Sequence, residues 1–262
     1  MSSVGNETLA TWPGRPDPKT VNRWLFGAYY EEDIYDQACR IIPAAMRAFW
    51  WRVPARMAER NLIFVHVPRA AGTSISRALY GEGCTHHHSA RYYRAVHPKL
   101  WARAQSFAVL RDPFDRFASA YAFVRAGGTP TCRLSNVFAR QTAHVVTVDD
   151  YLSFLEDREP LDLDFVMRPQ SWFVCDGDTP LVRNLFLYGE DDAALAAWLA
   201  PHGVGPLPWL NRSRRVELLL NPAQRRRIAR LYAQDFALIE SVRALRARQH
   251  EDALQAARIA AE

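Results

Sequence analysis

Asn61-Leu62-Ile63-Phe64-Val65-His66-Val67-Pro68-Arg69-Ala70-Ala71-Gly72-Thr73-Ser74-Ile75 reads as a buried strand, a tight turn of small residues and the start of a helix. That order makes an anion site. The turn exposes successive backbone N–H groups, and the helix start adds unpaired N–H groups and the positive end of a dipole. Arg69 brings a full positive charge to the mouth, and Thr73 and Ser74 bring hydroxyls. Phosphate is the ligand chemistry this implies. A Walker A loop is excluded, because no G-x-x-x-x-G-K-[ST] run occurs. Taken alone, the stretch also fits a strand-turn-helix with a purely structural role.

A second segment bears on that choice. Ser106-Phe107-Ala108-Val109-Leu110 reads as another buried strand, and it runs into Arg111-Asp112-Pro113-Phe114-Asp115-Arg116-Phe117-Ala118-Ser119-Ala120-Tyr121. Pro113 suits the first turn of a helix, and Phe114, Phe117, Ala118 and Tyr121 recur at helical spacing. Arg111 stands at the C-terminal end of the strand, where open α/β sheets bind ligands. Arg111 and Ser119 together would grip a second phosphate.

The pair of segments resembles the sulfotransferases that use 3′-phosphoadenosine 5′-phosphosulfate (PAPS). The first is similar to their 5′-phosphosulfate loop, P-K-T-x-[GS]-T-S, and the second to their 3′-phosphate motif, R-D-P-x-x-R-x-x-S-x-Y. The likeness is closest to the carbohydrate branch, which includes heparan sulfate 2-O-sulfotransferase and short bacterial relatives, and it covers roughly Leu62 to Phe236. It implies that Arg69, Ala70, Ala71, Gly72, Thr73 and Ser74 cradle the phosphosulfate and that Arg111 and Ser119 hold the 3′-phosphate. It also implies that Asn211, Arg212, Ser213 and Arg214 form a late polar loop, with Arg212, Ser213 and Arg214 closing on the nucleotide; a solvated basic loop is the other reading. Arg69 departs from the family's usual Lys. Lysine occurs here only at Lys19 and Lys99, so drift toward Arg explains the change, beside a retuned or weakened site.

Cys84-Thr85-His86-His87-His88-Ser89 lies between the two segments. A metal site, a solvated loop and a catalytic base are its three readings. Adjacent residues rarely converge on one metal without partners elsewhere. The resemblance implies a base, because the 2-O-sulfotransferases carry H-x-H here; His86 and His88 match it, and His88 takes the place of the base. Sulfuryl transfer needs such a group, since an acceptor hydroxyl must lose its proton as the new bond forms. His66, in the first strand, either touches the sulfuryl group or is a core histidine. Glu190 reads as an alternative base or as an acidic residue in the first turn of a helix. No metal is expected.

With 262 residues, 49% of them hydrophobic, the chain can bury the core of one large α/β domain. The net charge of +5 suits anionic ligands. Basic residues are interspersed with acidic ones, and no nucleic-acid module is recognisable. The polar, proline-bearing N-terminus is not a secretory signal, and Ile41 to Trp51 is too short to span a membrane. A cytoplasmic location with reduced thiols at Cys39, Cys84, Cys132 and Cys175 is the expectation.

The expected fold is α/β, P-loop-like and three-layered, with a central parallel sheet and extra helices at both ends. Residues 1–20 read as flexible. Residues 21–262 read as one sulfotransferase domain: appended helices over 21–58, a PAPS-binding core over 61–240 and a C-terminal helix over 241–262. Asp149 or Asp150 reads as a helix cap, and Ile228, Leu231, Tyr232 and Ile239 as one helical face. The expected activity moves a sulfuryl group from PAPS to a carbohydrate or glycoconjugate hydroxyl. A small-molecule alcohol or phenol acceptor, a nucleoside-triphosphate kinase and a non-catalytic nucleotide-binding protein are the alternatives.

Overall fold

The computed structural model describes residues 17–49, 55–81, 87–129, 132–205 and 218–261. Three parallel strands form the central sheet: β1 (Leu62–Phe64), β2 (Gln105–Leu110) and β3 (Asn184–Leu187), with β2 in the middle. Helices α1 (Pro18–Phe26) and α2 (Glu31–Ile41) precede it. α3 (Gly72–Tyr80) and α4 (Ala90–Val96) join β1 to β2, and α5 (Pro113–Arg125) and α6 (Val148–Glu156) lie between β2 and β3. α7 (Asp192–Leu199), α8 (Pro222–Leu231) and α9 (Ala233–Ala261) follow.

The side-chain period of two along a strand decides the layers. Leu62, Phe64, Phe107, Val109 and Phe186 point to one face and pack with Ile75 and Leu79 of α3 and Leu195 and Leu199 of α7. Ile63, Ala108, Leu110 and Leu187 point to the other, with Tyr92, Tyr93 and Val96 of α4 and Leu238, Ile239 and Val242 of α9. Both faces are covered, as a parallel sheet requires. The expected α/β class with a central parallel sheet is therefore present.

A third apolar cluster joins Phe117 and Phe123 of α5 to Tyr151 and Leu155 of α6 and to Ile228 and Tyr232. The helix is interrupted at Tyr232, between α8 and α9, so Ile228 and Ile239 do not share one helix face. Ile228 enters this cluster, and Ile239 packs on the sheet. The cap of α6 is Thr147, in a capping box with Asp150, rather than either aspartate.

The N-terminal helices are bonded into the core. Arg168, fully buried, donates to both carboxylate oxygens of Asp33 in α2, at 2.6 and 2.8 Å. The Tyr30 hydroxyl donates to buried Asp164. Among the described residues, no helix is long and apolar enough to cross a membrane.

Candidate active site

β1 ends at Phe64, where the Val65 N–H still donates to the Phe107 carbonyl at 2.9 Å. The chain then turns through Pro68 to Ala71 and enters α3. Arg69 (φ 67°) and Ala71 (φ 62°) both adopt the left-handed region, which costs a residue with a Cβ about 1 kcal/mol or more. Ala71 is the N-cap of α3 and has no side chain to offer its first turn. By contrast, Asp112 caps α5 and Asn221 caps α8 with side-chain oxygens. The first turn of α3 thus carries no side-chain cap from its N-cap residue. Gly72 must be glycine: a Cβ there would overlap the imidazole of His66.

The second motif grips this loop from outside. Arg116, buried in α5, donates from Nε to the Pro68 carbonyl at 3.0 Å, and Arg111 donates from Nη1 to the Arg69 carbonyl at 3.4 Å. With those carbonyls held, the loop's conformation is set by α5 and the end of β2.

Arg69 itself turns toward α5. Its Nε and Nη2 donate to the Ser119 hydroxyl at 3.0 and 2.8 Å, and its guanidinium lies 5.1 Å from the centre of the Phe123 ring. The expectation puts this cation at the mouth of the loop; in the structure its guanidinium lies against Ser119 and Phe123 of α5. Burial, and then the charge of Arg111, push its pKa below the ordinary guanidinium value. Among the described residues no carboxylate is salt-bridged to Arg69, Arg111 or Arg116, and the buried Nε of Arg111 has no hydrogen-bond partner. Buried Asp235 offsets part of the charge of Arg116, while Arg69 and Arg111 face each other's charge beside the start of α3. Thr73 is half-buried and Ser74 buried in the first turn of α3.

The histidines separate. His66 is buried between Phe64 and His87, with ring centres 5.7 and 4.5 Å away. Burial, and then the neighbouring His87, push its pKa well below 6.5, so it is neutral at pH 7. Its Nδ1 makes no hydrogen bond. His87 thus packs on His66, and its other side faces Phe165 at 5.3 Å. His88 stacks on Tyr92 with 3.9 Å between ring centres and meets the edge of Tyr93. Ser89, next in sequence, caps α4 by accepting from the Tyr92 N–H at 3.1 Å. His86, Arg212, Ser213 and Arg214 lie outside the described residues. Glu190 forms a bidentate pair with Arg243 of α9, at 2.6 and 3.2 Å, which occupies its carboxylate on the surface.

Sequence reasoning passed over Arg116, His87 and Gln170. Arg116 was legible, since it fills a fixed position of the R-D-P-x-x-R motif. His87 differs from its neighbours only in the direction its ring takes, and no pattern marks Gln170. Among the described residues no group of three His, Cys, Asp or Glu side chains is placed to hold a metal ion.

Residues 56–188, half of the chain, match the model of the sulfotransferase family. The chain belongs to that family. Membership makes it a transferase, one that moves a sulfuryl group to a hydroxyl acceptor. No curated protein and no solved structure matches it.

Proposed function

We propose that this protein transfers the sulfuryl group of PAPS to a hydroxyl of a carbohydrate or glycoconjugate. The observation that carries the reading is the joining of the two motifs: Arg69 of the first bonded to Ser119 of the second, with Arg111 and Arg116 holding the loop carbonyls. In the reaction the acceptor oxygen forms a bond to sulfur, and the bond from sulfur to the bridging phosphate oxygen breaks. The acceptor proton goes to an imidazole, and adenosine 3′,5′-bisphosphate leaves. The N–H groups at the start of α3 stabilise the charge that grows on the leaving phosphate. Arg111 and Ser119 bind the 3′-phosphate, and Arg69 stands between the two anionic ends of the nucleotide. By the family likeness the late loop adds the cations of Arg212 and Arg214 and the hydroxyl of Ser213.

The same likeness makes His88 the general base, with His86 beside it. The contact of His87 with His66 favours a second reading, in which His87 takes the proton and His66 orients it. Calorimetric titration without metal tests the donor assignment. Tight binding of adenosine 3′,5′-bisphosphate, with weaker binding of 5′-AMP and of ATP, supports it; preference for ATP with Mg²⁺ overturns it. An acceptor screen with PAPS then compares His88→Ala and His87→Ala. The variant that abolishes turnover while keeping nucleotide affinity identifies the base, and full activity in both discards a base in this segment.

A further inference from the structure

β2 is the central strand, and its residues hydrogen-bond alternately to either side. Phe107 accepts from Val65 on the β1 side, so Arg111 faces that side too. There β1 has already ended at Phe64 and the chain has left for the loop. The N–H and C=O of Arg111 therefore lack a strand partner, which a partly buried backbone cannot tolerate cheaply.

Gln170 fills the gap. Its side-chain Oε1 accepts from the Arg111 N–H at 2.8 Å, and its Nε2 donates to the Arg111 carbonyl at 2.8 Å. One amide thus plays the part of a missing strand residue. Gln170 is fully buried and is itself held from behind. Its backbone N–H and that of Ser171 donate to the two carboxylate oxygens of Asp235 in α9, at 2.8 and 2.9 Å. A continuous chain of bonds runs from α9 through Gln170 to the backbone of Arg111. The Arg111 guanidinium then contacts the Arg69 carbonyl and lies 5.3 Å from the Tyr188 ring centre.

We infer that Gln170 is a positioning residue of the donor site: its amide fixes the Arg111 backbone and so aims the guanidinium that discriminates a 3′-phosphate. This rests on the reading of Arg111 as the 3′-phosphate ligand. Gln170 does not touch the nucleotide. Its effect is on selectivity between nucleotides with and without that phosphate, beyond any effect on stability.

The test is calorimetric titration of the full chain with adenosine 3′,5′-bisphosphate and with 5′-AMP, on wild type, Gln170→Met and Gln170→Glu. Met keeps the length and loses both hydrogen bonds. Its bisphosphate affinity should fall about tenfold while 5′-AMP affinity changes less than about twofold. Glu keeps the acceptor; when protonated it also regains a donor, so selectivity should recover toward the wild-type ratio on acidification, each pH compared with wild type. A purely structural role would lower the melting temperature and leave the ratio of the two affinities unchanged, and that result overturns the inference. If Gln170→Met does not fold, the Gln170→Glu ratio decides alone. If wild type itself does not prefer the bisphosphate, the donor-site reading fails and this inference fails with it. A selective wild type with an unchanged ratio in the variants removes only Gln170.

Discussion

The Arg69 guanidinium donates two hydrogen bonds to the Ser119 hydroxyl, so the cation of the loop is tethered to the helix of the other motif. The two contacts converge on one acceptor in a half-buried place, so each residue should account for the same interaction energy. Ser119→Ala should cost about 1 kcal/mol of stability by losing that acceptor. In an Arg69→Ala background the same change should cost almost nothing. Denaturant unfolding of both singles and the double measures the coupling; additive costs would show that the tether contributes nothing.

Gly72 and His66 make a second pair with a sharp consequence. Because a Cβ at Gly72 would overlap the imidazole, Gly72→Ala must displace either the ring or the first turn of α3. Overpacking of this kind costs about 1–3 kcal/mol. Combining it with His66→Ala opens the space, so the double variant should lose less stability than the two singles added together. Thermal unfolding reads the difference, and strict additivity would mean that the helix start, not the ring, yields.

Much of this architecture was legible because it follows from local rules. Alternation along Leu62–Phe64 and Ser106–Leu110 is the two-faced sheet itself, and Pro113 after Asp112 is a capped helix start. The turn between β1 and α3 is recognisable because small residues stand between an apolar run and a helical one. The direction of the Arg69 side chain was not legible, since it depends on an acceptor brought near only by folding. Gln170 was invisible for the same reason: its partner is backbone 59 positions away. His87 and His88 are identical in type, and only packing against His66 or Tyr92 tells them apart.

The buried imidazole of His66 makes stability depend on pH. In the folded chain its pKa is pushed well below 6.5, while the unfolded chain takes up a proton near that value. Below pH 6.5, down to the folded pKa, the unfolded state binds more protons, so stability rises with pH and falls on acidification. The slope from one proton is up to about 1.4 kcal/mol per pH unit, and it vanishes above about pH 7.5. His66→Gln removes this contribution. The difference between wild-type and variant stability, followed by denaturant unfolding from pH 5 to 8, should therefore change below pH 6.5 and be flat above; a flat difference throughout would mean that His66 binds its proton equally well in the folded and unfolded chains.

Arg168 and Asp33 link the N-terminal helices to the segment that carries Gln170. The pair is dry: Arg168 is 0% exposed and Asp33 3%. Arg168 also donates to the Leu163 carbonyl at 3.0 and 2.9 Å and lies among the rings of Tyr30, Phe165 and Trp172. Removing one partner leaves the other charge buried without compensation, so Arg168→Met should cost about 3–5 kcal/mol. Adding Asp33→Leu removes the stranded carboxylate and should recover a large part of that loss, because desolvation of two charges offsets much of their attraction. Unfolding of the two single variants and the double measures this. A double variant no more stable than Arg168→Met would show that Arg168 acts through its packing on the three rings and its bonds to Leu163, and that α2 is held to the core by contacts other than this ion pair.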